Sequence, residues 1–452
     1  MNACHMPLSQ AAKYLGAVYS GNDIEFHGVS TDTRSVQSGE LFVALQGENF
    51  DAHDYIHQAV EAGAVAAIVS QPVQTKVPCL LVDDTRKALG VLASAWRSSF
   101  NLPVVAVTGS NGKTTVKEMI ASILNINGNP LVTKGNLNND IGVPQTLFNI
   151  DKQHSHAVIE MGANHIKEIA YLASLAKPNV GVVTNAMPAH LEGFGSLDGV
   201  ATAKGEMFDA LTESAVAIVN VDDQYAEQWQ QRAQPARVLG FGLSDAAEVS
   251  AEQIQFKPLD WTTQFVLKTP VGEITVTLPL AGRHNVMNAL AASAACLALD
   301  ISLQDIQQGL ANMQCVSGRL MSNISPQGAT IIDDSYNANP ASLQAGLDVL
   351  AMMPGKRILV IGDMAELGGD SYALHSQVAN MAREHDVQYL FALGEQSAAA
   401  VEKFGNGGQH FNSHEELEAS LRTELDEHSV VLIKGSRRMQ MERIVKAMHE
   451  EH

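Results

Sequence analysis

No apolar run in the chain approaches the roughly 20 residues that a membrane-spanning helix needs. Met1 to Gly16 also lacks a basic segment followed by an apolar core, so no export signal is expected. Cysteine is scarce. Cys4, Cys79, Cys296 and Cys315 lie far apart and form no C-x-x-C pair. Two disulfides are arithmetically possible, but a chain of 452 residues does not need them, and reduced thiols in the cytoplasm are expected. Basic residues are outnumbered, with 29 Lys and Arg against 49 Asp and Glu and a formal net charge of -20. That balance argues against nucleic acid or an anionic membrane as the main partner. An anionic substrate must then be held by local cations acting against the overall field. Low-complexity segments and short repeats are absent as well.

What is present is organised around Val104-Val105-Ala106-Val107-Thr108-Gly109-Ser110-Asn111-Gly112-Lys113-Thr114-Thr115. Four apolar residues predict a short buried strand. A loop with two glycines follows. Lys113 then opens a helix whose Val116, Met119, Ile120, Ile123 and Leu124 recur at helical spacing. A strand, glycine turn and helix in that order set backbone N–H groups around an anion at the helix N-terminus. Lys113 is placed to neutralise the β- and γ-phosphates of a nucleotide, and the Thr114 hydroxyl to hold Mg²⁺. The loop is a variant of G-x-x-x-x-G-K-[ST], with Val107 where the first glycine usually stands. The glycines are expected to let phosphate oxygens approach the backbone.

The length suggests about three domains, and the pattern predicts an α/β protein divided at 1–83, 84–313 and 314–452. The first is a small α/β unit. Ser9 caps a helix ending at Gly16; Glu40–Leu45, Ala66–Val69 and Cys79–Val82 are strands; Asp54–Ala62 is helical and stops at Gly63. Asp84–Ser98 is a helix with Ala88, Leu89, Leu92, Ala93 and Trp96 on one face. In the second, strands at 104–107, 157–160, 180–184 and 216–220 alternate with helices, predicting a doubly wound, mostly parallel sheet. Runs such as Gln264–Leu267 and Glu273–Leu278 suit a small antiparallel addition, and Asn285–Leu299 reads as an Ala-rich helix. The third is a Rossmann-like α/β unit with strands at 329–333, 357–361, 387–393 and 429–433. Asn339 followed by Pro340 marks a helix start there.

Ligands of an open parallel sheet sit at the carboxyl ends of its strands. Glu160 and His190 fall at such ends and are candidates to converge on the phosphates and hold a divalent cation. Taken singly, each reads equally well as a solvated carboxylate and a hydrogen-bonded histidine. Gly135-Asn136-Leu137-Asn138-Asn139-Asp140-Ile141-Gly142 has more side-chain amides than a reversal of direction needs, which suggests polar contacts to a substrate; a plain turn is the alternative.

These stretches, with Glu160-Met161-Gly162, Asn185 with His190, Ala203-Lys204, Gly282-Arg283-His284-Asn285 with Asn288, and Gly318-Arg319, occur in an order that resembles the Mur ligase family. The likeness runs through all three domains. Its members are ATP-dependent amide ligases of peptidoglycan precursor synthesis. Asp333–Pro340 and Gly362–Gly368 resemble the D-alanyl-D-alanine-adding branch, and the Asp-Asn-Pro-Arg motif of the diaminopimelate-adding branch is absent.

The resemblance implies a cytoplasmic, monomeric enzyme that joins D-alanyl-D-alanine to UDP-N-acetylmuramoyl-tripeptide. It implies that Ser30, Thr31, Asp32 and Arg34 hold the uridine diphosphate, and that Asn136, Asn138 and Asn139 line the path of the muramoyl peptide. ATP would be bound by Gly109, Ser110, Asn111, Gly112, Lys113, Thr114, Thr115, Asn285 and Asn288, with Arg319, Asp334 and Tyr336 reaching it from the third domain. Two Mg²⁺ sites are implied: Thr114 and Glu160 at one, and His190 at a second beside Lys204, which the family carries as a carbamate. Lys113, His190 and Lys204 are the implied catalytic groups, and Lys434 and Arg437 would meet the dipeptide carboxylate. Closure of the third domain, pivoting near Gly318, would keep water from an acyl phosphate.

Overall fold

The computed structural model describes residues 3–19, 21–188, 191–365, 367 and 371–450. His190, and Glu366 and Gly368 of the 362–368 motif, lie outside the described residues.

Three sheets that are wholly or mostly parallel follow one another along the chain. The first pairs Val29–Ser30, Leu41–Val43, Ala66–Val69 and Cys79–Leu81 in sequence order. Leu41–Val43 and Ala66–Val69 are buried at every residue, as strands covered on both faces must be. A small antiparallel pair, His5–Pro7 with Glu25–His27, lies beside it. The helix Leu8–Leu15 ends at Gly16 in the left-handed region, but Ser9 does not cap it. Pro7 stands at that boundary, and the Ser9 N–H donates to Asp23 Oδ1 at 2.9 Å. A carboxylate from another segment thus satisfies a first-turn donor that the sequence suggested would be met locally. The strand expected over Glu40–Leu45 shortens to Leu41–Val43, and the helix after it begins as a 3₁₀ turn, Ala52–Tyr55, capped by Asp51.

Asp84 caps the helix Thr85–Arg97 by accepting from the N–H groups of Arg86 and Lys87. Leu89, Leu92, Ala93 and Trp96 pack into a core shared with the central unit, and Trp96 Nε1 donates to Ile150 O at 3.0 Å.

The central sheet is fully parallel, in the order Arg237–Phe241, Val216–Asn220, Val180–Val183, Val104–Thr108, His156–Glu160, Pro130–Val132. The two outermost strands escaped the sequence pattern. One is short and opens on a proline; the other opens on an exposed arginine. Val104–Thr108 lies where the strand order reverses, so its carboxyl end faces an open crevice. The antiparallel addition has three strands, Ser250–Lys257, Thr262–Thr269 and Gly272–Leu278. A register shift between Glu252 and Gln255 breaks the alternation that would have announced the first. The helix Arg283–Leu297 is buried on nearly all sides and packs on Lys113–Leu124.

The third sheet runs Met321–Ile324, Thr330–Asp334, Ser429–Lys434, Lys356–Gly362, Tyr389–Leu393, Gly408–Phe411, antiparallel only at its first pair. Asn339 and Ser342 form a reciprocal capping box at the start of Pro340–Ala351. The third unit rests on the antiparallel addition: Trp261 Nε1 donates to Leu320 O at 3.1 Å, and Phe256 and Trp261 pack against its core. Among the described residues no helix is long and apolar enough to cross a membrane. No two of the four cysteines are joined.

Candidate active site

A cavity of about 950 Å³ opens at the carboxyl end of Val104–Thr108. The phosphate loop lines one side. The third unit supplies Arg319, Asp334, Tyr336, Asn339 and Lys434 opposite, and Asp84, Arg86 and Lys87 lie at another border.

The loop is held by the end of the neighbouring strand. Ser110 N donates to Asn185 O and Asn111 N to Asn185 Oδ1, both at 3.0 Å. Thr184 Oγ1 donates to Asn111 O at 2.6 Å. Ser110 Oγ donates to Met187 O at 2.9 Å, so this hydroxyl serves the loop itself. Gly109 and Gly112 have φ of 145° and 81°. A Cβ at Gly109 would fall on Thr184 Oγ1 and one at Gly112 on Asn288 Oδ1. The glycines are therefore demanded by protein neighbours as well as by any phosphate. Thr184 had no sequence signal of its own.

Lys113 heads the helix, and its Nζ donates to Gly109 O at 2.7 Å and Ser110 O at 3.1 Å. Burial lowers its pKa, with Glu160 opposing and Arg319 reinforcing. Thr114 Oγ1 accepts from Arg319 Nη2 at 3.4 Å, and Thr115 is buried on the helix. Glu160 ends its strand buried. Its Oε1 accepts from Asn138 Nδ2 at 2.8 Å, while Oε2 has no hydrogen-bond partner. Lys117 Nζ stands 3.9 Å from Oε2 and is itself held by Thr133 O at 2.9 Å. Lys117 was not singled out, although it sits one helical turn after Lys113 on the same helix. A buried carboxylate oxygen without a donor, lining the same cavity as the Thr114 hydroxyl and the phosphate loop, fits a hard divalent cation. Among the described residues no group of three or more His, Cys, Asp or Glu forms a complete metal cage.

Lys204 lies on Leu197–Asp209 and is 2% exposed. Its Nζ donates to Ala163 O at 3.4 Å and sits 5.0 Å from the centroid of the Phe194 ring. Burial first, and then the charge of Lys113, lower its pKa to about 7, against the pull of Glu168 and Glu206. The three asparagines expected along the substrate path divide. Asn138 orients Glu160. Asn139 Oδ1 accepts from Ile141 N and Gly142 N, a backbone task at the start of Gly142–Leu147. Asn136 is exposed and is not among the cavity-lining residues.

At the far end Asn285 Nδ2 donates to Ala281 O at 2.8 Å and its Oδ1 accepts from Asn288 Nδ2 at 3.1 Å. Both ends of this amide are thus engaged within the protein, and Asn288 also backs Gly112. His284 beside it is pulled down to about 4 by burial and by Lys434. Arg319 lies over the Tyr336 ring at 4.2 Å, its Nε buried without a hydrogen-bond partner. Asp334 pairs with Lys434 at 2.5 Å, and Lys434 Nζ also donates to Asn337 O at 3.0 Å. Arg437 is mostly exposed, paired with Glu442 at 2.9 Å, and does not line the cavity.

The N-terminal candidates stand apart from this cavity. Ser30 Oγ donates to Asp32 O at 3.2 Å, and Asp32 pairs with Arg34 at 2.6 Å, whose hydrogen bonds hold the carboxyl near 2. The Arg34 side chain is 87% exposed. Thr31 Oγ1 accepts from Gln145 Nε2 at 2.9 Å, which ties the first unit to the second.

Three family models match in chain order: "Mur ligase family, catalytic domain" over residues 25–125, "Mur ligase middle domain" over 107–296, and "Mur ligase, glutamate ligase domain" over 318–437. The chain belongs to the Mur ligase family. Among individual relatives, the UDP-N-acetylmuramoyl-tripeptide--D-alanyl-D-alanine ligase of Escherichia coli (strain K12) is 46% identical over 445 residues, 98% of either chain. A crystal structure of MurF from Acinetobacter baumannii superposes with a TM-score of 0.94 at 36% identity, covering 100% of both chains. The MurF ligase of Thermotoga maritima in complex with ADP gives a TM-score of 0.84 at 27% identity over 93% of this chain and 96% of that one.

Proposed function

We propose that the protein is an ATP-dependent ligase that joins D-alanyl-D-alanine to the terminal carboxylate of UDP-N-acetylmuramoyl-tripeptide. The products are the UDP-N-acetylmuramoyl-pentapeptide, ADP and phosphate, made in the cytoplasm for the cell wall. The observation that carries the reading is the convergence, on one cavity, of a phosphate loop, a buried carboxylate with an unpartnered oxygen, and cationic groups of the third unit. The near full-length likeness to a ligase of that name supports the choice of substrates.

The domains divide the work at 1–83, 84–313 and 314–452. The first holds the uridine diphosphate through Ser30, Thr31, Asp32 and Arg34. The second holds ATP. The third closes over it and brings the dipeptide, with Lys434 and Arg437 near the dipeptide carboxylate. A free carboxylate does not condense with an ammonium in water, so the carboxylate oxygen first attacks the γ-phosphorus of ATP and ADP leaves. Lys113 and Arg319 offset the charge that spreads over the transferred group. Glu160 and Thr114, with His190 at a second position, would hold magnesium, which neutralises phosphate charge when bound. The dipeptide amine then attacks the acyl carbon, sheds a proton, and phosphate departs. The third unit pivots near Gly318, whose N–H donates to Asp333 Oδ2 and whose carbonyl accepts from Tyr336 N. The Lys204 pKa is lowered to about 7, chiefly by burial, which favours the neutral amine. Such an amine adds CO₂, releases a proton and becomes a carbamate, turning a buried cation into an anion suited to a metal.

The test is ADP release in a coupled assay, leaving out each substrate in turn. ADP is expected only when the nucleotide tripeptide is present, with ligated product only when D-alanyl-D-alanine is added as well. Equal ADP release without either substrate overturns the reading. So does substitution of glutamate or diaminopimelate for the dipeptide.

A further inference from the structure

We propose that Asn339 is a positioning residue for the ligation, its side-chain amide locking the third unit onto the phosphate loop with Asn111 as receiver. This rests on the functional reading above for its consequence, though not for its geometry. Asn339 Oδ1 accepts from Ser342 N at 2.8 Å, and Ser342 Oγ accepts from Asn339 N at 3.0 Å. That capping box uses only the oxygen end of the amide. The nitrogen end donates to Asn111 Oδ1 at 2.8 Å. Serine or aspartate would cap the helix as well as asparagine does. Of these, only asparagine also offers an N–H donor on the far side of its cap.

Asn111 is built to receive that donor. Its backbone N–H is taken by Asn185 Oδ1, and its carbonyl by Thr184 Oγ1 and Asn185 Nδ2. Gly109 and Gly112, both at positive φ, flank it in the loop. The backbone is thus pinned to the end of Val180–Val183, and the side chain is the part left to meet the third unit. Arg319 to Thr114, at 3.4 Å, is a second and longer tie. The loop that cradles phosphate and the helix Pro340–Ala351 are therefore joined by one short hydrogen bond. Cutting it leaves the phosphate-binding groups in place and loosens the roof, which the longer Arg319–Thr114 bond alone then holds to the loop. The acyl phosphate then meets water more often than it does in the unaltered protein.

The test variant is Asn339→Ser, which keeps a capping hydroxyl but is too short to reach Asn111. The expected result is a melting temperature close to that of the unaltered protein. Product formation falls about three- to tenfold, the range set by one neutral hydrogen bond. ADP released per ligated product rises above one, which a defect in helix capping alone would not cause. Asn111→Ala shows the same uncoupling, and the double variant loses no more than Asn111→Ala alone. Losses that multiply in the double variant overturn the proposal. So does Asn339→Ser at full rate with one ADP per product. If the unaltered protein makes no ligated product, the functional reading falls, and small-angle scattering with a non-hydrolysable ATP analogue decides the lock. A larger radius of gyration for Asn339→Ser supports it, and an equal radius overturns it.

Discussion

Replacing Lys204 by methionine should stabilise the nucleotide-free protein while abolishing its activity. The ammonium is 2% exposed, with one long acceptor and an aromatic face for company. Its pKa falls from the ordinary 10.5 to about 7 in the fold. Between these values the unfolded chain holds the proton and the folded chain does not, so stability climbs as pH rises through this window. Below pH 7 the folded state carries the full cost of a buried charge. At 1.36 kcal/mol per pH unit, the difference of 10.5 − 7 = 3.5 corresponds to about 5 kcal/mol as a ceiling. Methionine has a similar shape and no charge, so the variant should gain about 3–5 kcal/mol at pH 7 and lose that advantage by pH 10.5. Urea unfolding at several pH values in CO₂-free buffer measures it. Trp229 is the natural reporter, since its indole donates to Ala201 O on the helix that carries Lys204. A stability gap that is constant with pH, or a methionine variant less stable than the unaltered protein at pH 7, would refute the reasoning.

Gly112→Ala should weaken ATP binding at least tenfold, because φ is 81° and the new Cβ falls on Asn288; calorimetry with a non-hydrolysable analogue checks this, and unchanged affinity would show the loop to be more yielding. Asn138→Ala removes the donor that orients Glu160 and should raise the Mg²⁺ or Mn²⁺ concentration needed for half-maximal binding about 10-fold or more. Electron paramagnetic resonance of bound Mn²⁺ reads that shift without activity. Lys434→Met leaves Asp334 buried without its partner and should cost about 3–5 kcal/mol, most of it recovered in Asp334→Asn/Lys434→Met. Denaturant midpoints of the single and double variants test it, and additive losses would count against the pair.

The phosphate loop was legible because it is local: strand, glycines, lysine and helix are contiguous, and their periodicities change at Gly109 and Lys113. The same holds for Asn339 before Pro340, where cap and first helical residue are adjacent. Edge strands such as Pro130–Val132 were missed because three residues carry too little period to stand out. Ser9 misled because a seryl cap and a seryl residue bound by a distant Asp23 look alike in one dimension. Asn138 and Asn139 looked equivalent, yet one orients a carboxylate across the fold and the other serves its own turn.

The order of apolar periods, glycines and caps determined by itself that this chain would fold as successive α/β units around a nucleotide loop. Those signals act between near neighbours, through backbone sterics and burial of one face. Which groups share the cavity was decided only in three dimensions. The pKa of Lys204 is lowered because the fold shuts water out around it, and Glu160 keeps an unpartnered oxygen because Asn138 reaches only the other. Asn339 meets Asn111 because residues 228 apart in the chain are brought together by packing. Desolvation and contact across long stretches of chain are properties of packing, and no short window of sequence contains them.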